Sequence, residues 1–197
     1  MPVTTHTYHH GNLRQALLDT AGEILETHGA QAISLRGLAR ELDVSHAAPA
    51  HHFRNKTELM AELAADGYRA LADAMADAMD GTDPSQWLEV TGRAYIRFGV
   101  SNPQRYRLMF TSGLMNEDCP QRLTDEASEA YLLLLRAAYP EAPLPDPATY
   151  RLGTAELAAW SVVHGAVMLW LDGQLGEMEK ADFLDLADRM LAEFVTR

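Results

Sequence analysis

The chain has 197 residues, of which 47% are hydrophobic and 22% charged, and a formal net charge of −12. That length suffices for one large domain or two small ones with a buried core, and the composition is that of an ordinary soluble globular protein. Cys119 is the single cysteine, which rules out an intrachain disulfide framework and fits a reducing compartment.

The N-terminus lacks the charged-then-apolar pattern of a secretory signal. Periodicity predicts a first helix from about Asn12 to His28, with Leu13, Leu17, Ala21, Ile24 and Leu25 on one face and Gly29 as its stop. Leu35, Leu38, Ala39 and Leu42 recur at helical spacing, so Ser34 to Glu41 or Leu42 is a second amphipathic helix. Ser34 is its natural N-cap, because its hydroxyl can accept from a backbone N–H that has no partner within the helix. Asp43-Val44-Ser45 reads as a turn. Ser45 then caps a short helix through His52 that exposes His46, Ala47, Ala50 and His51 while Phe53 anchors its end. Pro49 removes one backbone donor, which limits this helix to about two turns. Two short helices joined by a tight turn form a helix-turn-helix, whose second helix can enter the major groove of double-stranded DNA.

Further along, helices are predicted from about Thr57 to Met79, Ser85 to Val100, Gln104 to Thr111, Pro120 to Tyr139, Ala148 to Leu171 and Lys180 to Val195. The breaks fall at Asp80-Gly81-Thr82-Asp83-Pro84, at Ser101-Asn102-Pro103 and in the proline-rich stretch Pro140 to Pro147. No β-alternation of useful length and no fixed-period repeat appears. The longest apolar run, near Ala155 to Leu171, is interrupted by Glu156 and His164 and is too short to read as membrane-spanning.

Residues Leu13 to Leu59 resemble the N-terminal domain of TetR-family transcriptional regulators. The resemblance rests on Gly29, Ile33-Ser34, Val44-Ser45, His52-Phe53 and Lys56-Thr57-Glu58-Leu59 at fixed spacing. It implies an all-helical homodimer with a DNA-binding head and a larger C-terminal domain for dimerisation and ligand sensing. This chain has Pro49-Ala50 where the family usually has Leu-Tyr, so Ala50 carries no phenol for the phosphate contact made by that tyrosine. A second resemblance lies in Ala94-Tyr95, Asn102-Pro103, Tyr106 to Phe110 and Trp160 to Gly165, which are similar to a TetR subgroup named for a Trp-His-Gly pattern. The candidate DNA-contacting set is Ser34 and Arg36, then Ser45, His46, Ala47, Ala50, His51 and His52, then Lys56 and Thr57.

A net charge of −12 argues against a DNA partner, since phosphate neutralisation supplies much of the affinity. The charge, however, is unevenly placed. Residues 1–56 hold five of the 16 basic and five of the 28 acidic groups, so residues 57–197 carry 11 and 23, the whole excess. Seven of the eight histidines also lie in residues 1–56, where partial protonation beside phosphates adds positive charge. The acidic remainder favours docking through the head alone.

The helix bearing Leu157, Trp160, Ser161, His164, Met168 and Leu171 is apolar around much of its circumference. The last helix offers Phe183, Leu186, Ala187, Met190, Leu191 and Phe194 as a broad face. Two such helices per chain can build a four-helix seam across a two-fold axis, or can complete the monomer core. Trp87, Tyr95, Phe98, Met109, Phe110, Met115, Tyr131, Trp160 and His164 are candidates to line an apolar pocket for an unidentified small-molecule effector, although aromatics and methionines at helical spacing are more often packed core. His164 is the one ionisable group among them apart from tyrosine, and a histidine satisfied by its neighbours is the plainer account of it.

No metal or cofactor is expected. His9-His10 and His51-His52 are adjacent pairs, and adjacent helical residues point about 100° apart, which prevents joint chelation. Cys119 has no histidine near it in sequence, and Asp172 to Gly176 lacks the strand that a phosphate loop needs, so no enzyme is expected. The reading is an all-α cytoplasmic protein of about nine helices, with a three-helix head over residues 1–56 and a helical bundle over residues 57–197. It acts as a ligand-responsive DNA-binding regulator, a repressor that binds a palindromic operator as a homodimer, with no membrane partner. Ligand would favour a head separation that misses adjacent major grooves, with the helix starting near Thr57 as the lever. A helical protein-interaction module or small-molecule binding protein without specific DNA binding also accounts for the apolar faces, but leaves Ser34 to Lys56 unexplained.

Overall fold

In the computed structural model, residues 13–146 and 149–195 are described. The expected helix start at Asn12, the pair His9-His10 and the expected start at Ala148 lie outside them. The described residues form eight α-helices: α1 (Leu13–His28), α2 (Leu35–Glu41), α3 (Lys56–Met79), α4 (Trp87–Ser101), α5 (Pro103–Met109), α6 (Gln121–Ala138), α7 (Thr154–Leu171) and α8 (Lys180–Val195). Three 3₁₀ turns, at Ala30–Ala32, Ala48–His51 and Pro84–Gln86, complete the regular structure among them. The expected ninth helix, Ser45 to His52, is corrected: its place is taken by the second of these turns. With Pro49 in the second position, an N–H that a longer helix would use is missing, and the segment closes after four residues.

The head is built from α1, α2 and the Ala48–His51 turn over the start of α3. Leu17, Ala21 and Leu25 of α1 and Leu38 of α2 are almost wholly buried with Ile33, Phe53 and Leu59. Removing that apolar area from water is the main force that holds these elements together. α3 continues without a break from this head into the body, about 36 Å at the usual rise per residue. Residues Leu59 to Ala65 are buried on every side. Such a stretch must be apolar or small all round, and Glu62 is its exception.

In the body α3 packs against α4, α5 and α6, while α4 is covered by α7 and α8. The α4–α7 crossing depends on Gly99, where a Cβ would lie 2.6 Å from Val167 Cγ1. α7 presents Glu156, Ala159, Val163 and Val167 inward and leaves Leu157 and Leu169 about half exposed. By length and composition alone α7 could cross a membrane, contrary to the expectation that the run is too short; here it packs against α4 as part of the body. The expected broad face of α8 is split by the fold. Phe183, Ala187 and Leu191 are buried in the monomer core, with Phe183 stacked on Trp170 at 4.7 Å, and Leu186 remains 42% exposed.

Candidate nucleic-acid interface and effector cavity

Ser34 has extended backbone and accepts from the Gly37 N–H at 3.0 Å, the capping role its sequence position demands. The other end of α2 closes with Asp43 at a φ of 52°, a left-handed conformation that aspartate tolerates better than most residues. The Asp43 N–H bonds to the Arg40 carbonyl and the Val44 N–H to the Ala39 carbonyl, which together form a Schellman motif. Half-buried Val44 thus turns the chain inward. Ser45 does not cap through its side chain as expected; its carbonyl accepts from the Ala48 N–H at 2.9 Å.

Beyond this turn the Pro49 ring is buried, and its carbonyl accepts from both His52 and Phe53 at 3.0 Å. Phe53 is buried under the Arg14 guanidinium, 5.3 Å from its ring centroid, a cation–π contact that holds the segment from below. Ser45, His46, Ala47, Ala50 and His51 are all exposed, and His52 is half-buried. The backbone therefore offers a short, rigid, small-residue surface. Asn55, which the sequence reading passed over, caps α3 by accepting from the Glu58 N–H at 2.9 Å. The Glu58 carboxylate takes the Arg54 N–H and Nε, and although burial opposes it, Arg54 holds the Glu58 pKa below its ordinary value. Lys56 Nζ donates to the Ala30 carbonyl at 2.8 Å and so ties the start of α3 to the 3₁₀ turn that follows α1. Thr57 and Arg36 are exposed, and Arg36 joins no ion pair among the described residues.

Among the described residues, polar contacts join head and body at several places. Buried Glu62 of α3 pairs with Arg14 of α1 at 2.9 Å and with Arg122 of α6 at 3.0 Å. Arg122 also bonds Asp66 and approaches Glu126. At a second junction Arg105 of α5 reaches Glu26 of α1 at 3.0 Å. Another is the Arg54–Asp118 contact.

The body contains a cavity of about 280 Å³. α3 supplies Tyr68, Leu71 and Met75; α6 supplies Ala127, Ala130, Tyr131 and Leu134. Tyr95, Phe110 and Trp160 close the far side, and half-exposed Met115 stands at its mouth. Of the residues expected to line a pocket, the fold brings Tyr95, Phe110, Met115, Tyr131 and Trp160 together and leaves four aside. The Trp87 indole donates to the Thr82 carbonyl at 3.0 Å, and Phe98 faces the core. Met109 packs on Gly67, where a Cβ would lie 2.8 Å from its sulfur, and its carbonyl accepts from the Tyr68 hydroxyl. His164 lies behind the wall. Tyr68, Leu71 and Met75 were missed because their i, i+3, i+7 spacing reads as a core face; the tyrosine in an alanine-rich helix was the available signal.

The Trp-His-Gly pattern builds a polar cluster behind that wall. The Trp160 indole donates to the Tyr95 oxygen at 3.2 Å, the Tyr95 and Tyr106 hydroxyls are 3.0 Å apart, and the Tyr106 hydroxyl is 2.8 Å from His164 Nδ1. Burial pushes the Tyr95 phenol up to about 12, drives Tyr106 higher still and lowers the His164 pKa. All the phenols are thus protonated at neutral pH and the imidazole is neutral. The Tyr106 hydroxyl donates to the Tyr95 oxygen, which also accepts from Trp160, and His164 Nδ1 lies within reach of both hydroxyls, 2.8 Å from Tyr106 and 3.3 Å from Tyr95. At Gly165 a Cβ would meet nothing within 4 Å, so that side of α7 is open.

The family described as bacterial regulatory proteins of the tetR family matches residues 17–63, and that described as tetracyclin repressor-like, C-terminal domain, matches residues 88–194. An HTH-type transcriptional regulator of Mycobacterium bovis is 32% identical over 96 residues, which are 47% of this chain and 41% of that protein. The chain thus spans less than half the length of this curated relative. Among solved structures, a protein of unknown function from Rhodococcus sp. RHA1 superposes with a TM-score of 0.75 at 26% identity, covering 98% of this chain and all of the other. The fold is shared too by AibR, solved in complex with isovaleryl coenzyme A and operator DNA, with a TM-score of 0.62 at 17% identity over 90% of this chain and 96% of that one. With its C-terminal match alone spanning more than half of its length, this chain belongs to the TetR family.

Proposed function

We propose that this protein is an effector-responsive transcriptional repressor that binds a palindromic operator as a homodimer, inside the cell where DNA is found. The observation that carries it is the head: a capped α2, a Schellman turn, and a Pro49–Phe53 base that holds His46, Ala47, Ala50 and His51 toward solvent. His46 and His51 read base edges, and Ala47 and Ala50 admit close approach or a thymine methyl. Ser34, Arg36, Ser45, His52, Lys56 and Thr57 position the head on phosphates. The head is the span up to residue 56 and the body the remainder, with α3 shared between them.

The dimer seam is the outer side of α7 and α8, where Leu157, Leu169 and Leu186 are 50%, 47% and 42% exposed beside open Gly165. Apolar surface of this extent on two adjacent helices is covered most simply by a second copy.

The effector occupies the cavity, and contacts continue from there to the DNA-reading turn. α6 carries the cavity wall at Ala127 and Tyr131 and carries Arg122 one turn before it. Arg122 holds Glu62, Glu62 holds Arg14, and Arg14 lies over Phe53 beneath the reading turn. A shift of α6 on binding changes the angle of the head through this line.

The test is selection of DNA from a random pool by the full chain, followed by footprinting. Two related half-sites about one helical turn apart are expected. His46→Ala or His51→Ala should alter base preference, whereas Lys56→Ala should weaken all sequences alike and flatten the salt dependence. Binding without sequence preference refutes the proposal.

A further inference from the structure

The base-reading surface of the head carries no permanent positive charge, and this decides which base it reads and at what pH, an inference that rests on the head as the DNA-contacting part. From Glu41 to Phe53 the charged and titratable residues are Glu41, Asp43, His46, His51 and His52, with no lysine or arginine among them. Of the head's five basic residues, Arg14 is tied to Glu62 and Phe53, Arg54 to Glu58, and Lys56 to the Ala30 carbonyl. Arg36 and Arg40 stand exposed four residues apart on α2, hence on one face of it, which suits the phosphate backbone. Contact with the bases is left to imidazoles.

His46 and His51 are exposed, and neither ring makes a hydrogen bond, ion pair or ring contact with another described residue. Pro49 is buried, and at three residues per 3₁₀ turn His51 lies about 120° round from it, away from the core. α1 and α2 pack against this turn. The charged groups around it are Arg14 on α1, Arg36, Arg40 and Glu41 on α2, Asp43 after α2, and Arg54, Lys56 and Glu58 beyond, and none of them pairs with either imidazole.

A neutral imidazole offers one donor and one acceptor, whereas its protonated form offers two donors and no acceptor. Phosphates nearby favour the protonated form, and histidine is the side chain that changes charge between about pH 5 and 8. In the major groove guanine shows two acceptors, N7 and O6; adenine and thymine show one each, and cytosine shows a donor. We propose that protonated His46 and His51 read guanine in each half-site, so that specific operator binding takes up protons and strengthens as pH falls. With neutral imidazoles Glu41 and Asp43 give the segment from Glu41 to Phe53 a net charge of −2, and with all three protonated it becomes +1. The reading surface thus changes sign with pH, and small Ala47 and Ala50 let the rings approach the groove.

The test is anisotropy titration of the full chain on the operator selected from the random pool and on a scrambled DNA, at about pH 6 and about pH 8 and constant ionic strength. Guanine is expected in each half-site. The ratio of operator to scrambled affinity should be at least about tenfold higher at the lower pH, since each proton taken up steepens the change by up to about tenfold per pH unit. Taking the ratio removes the general gain that any protonated histidine brings against phosphates. Replacing the protected guanines by 7-deazaguanine, which lacks N7, should cost roughly tenfold at the lower pH and much less at the higher. His46→Ala combined with His51→Ala should abolish the pH dependence of the ratio, whereas His51→Arg, a permanent donor, should keep the guanine preference and weaken that dependence. Both side chains are exposed, and circular dichroism at each pH confirms that the fold is kept. Half-sites without guanine, a ratio equal at both pH values, or a double variant that retains the parent's pH dependence overturns the proposal. Sequence preference that ignores pH leaves the regulator reading standing and removes only this one; absence of sequence preference at either pH refutes both.

Discussion

Arg122→Ala is the sharpest probe of the junction between head and body. Its removal leaves Glu62 and Asp66, with side chains 8% and 22% exposed, as two carboxylates four residues apart on α3 without their shared cation. At about 6 Å and an effective dielectric near 20, their repulsion is roughly 2–3 kcal/mol, and Arg14 stays to offset part of it. Arg122 is 29% exposed, so water screens some of the loss and a net cost of about 2 kcal/mol is expected. For a chain of this size that is a fall in Tm of about 4–8 °C. Glu62→Gln should cost less, about 1 kcal/mol, because Arg122 keeps Asp66 and Glu126 while Arg14, 43% exposed, turns to solvent. Arg14→Ala combined with Arg122→Ala should cost more than the two singly, since each substitution makes Glu62 depend on the cation that the other removes. Urea denaturation of the four variants measures this cycle. Additivity within about 0.5 kcal/mol, or a larger loss from Glu62→Gln than from Arg122→Ala, refutes the account of Glu62 as a shared anchor.

Gly99→Ala should destabilise by about 1–3 kcal/mol, since its methyl meets the stiff Val167 side chain at 2.6 Å; thermal denaturation measures it, and an unchanged Tm refutes the close α4–α7 crossing. Leu186→Asp should yield a folded monomer in sedimentation, whereas Leu191→Asp should disrupt the fold, as Leu191 is 2% exposed and lies against Gly92. A Leu186→Asp protein that stays dimeric places the seam elsewhere. Burial keeps the His164 pKa below its ordinary value, so under about pH 6.5 the unfolded chain takes up a proton that the native state refuses. Stability should therefore fall as pH drops through that range, and His164→Gln should flatten this part of the profile in chemical denaturation; an identical profile refutes the assignment.

Helix positions were readable because the 3.6-residue period and caps such as Ser34 are local, and α1, α2 and α8 lie within a residue or so of their expected bounds. Pro49 announced a shortened reading segment, yet only the folded chain shows it as a 3₁₀ turn, because the outcome depends on where the Pro49 ring and Phe53 find burial. The apolar pattern of α8 was equally plain but left its partner open: periodicity marks a stripe as apolar without saying whether its own chain or a second copy covers it. Phe183 and Leu191 meet Trp170 and Gly92, partners 13 and 99 residues away in sequence. The cavity and the Glu62 junction are of the same kind. Tyr68, Tyr131 and Trp160 come from three helices, and Arg14, Glu62 and Arg122 from three as well. Their meeting is set by how helices cross, which arises from packing between distant segments and leaves no period along the chain.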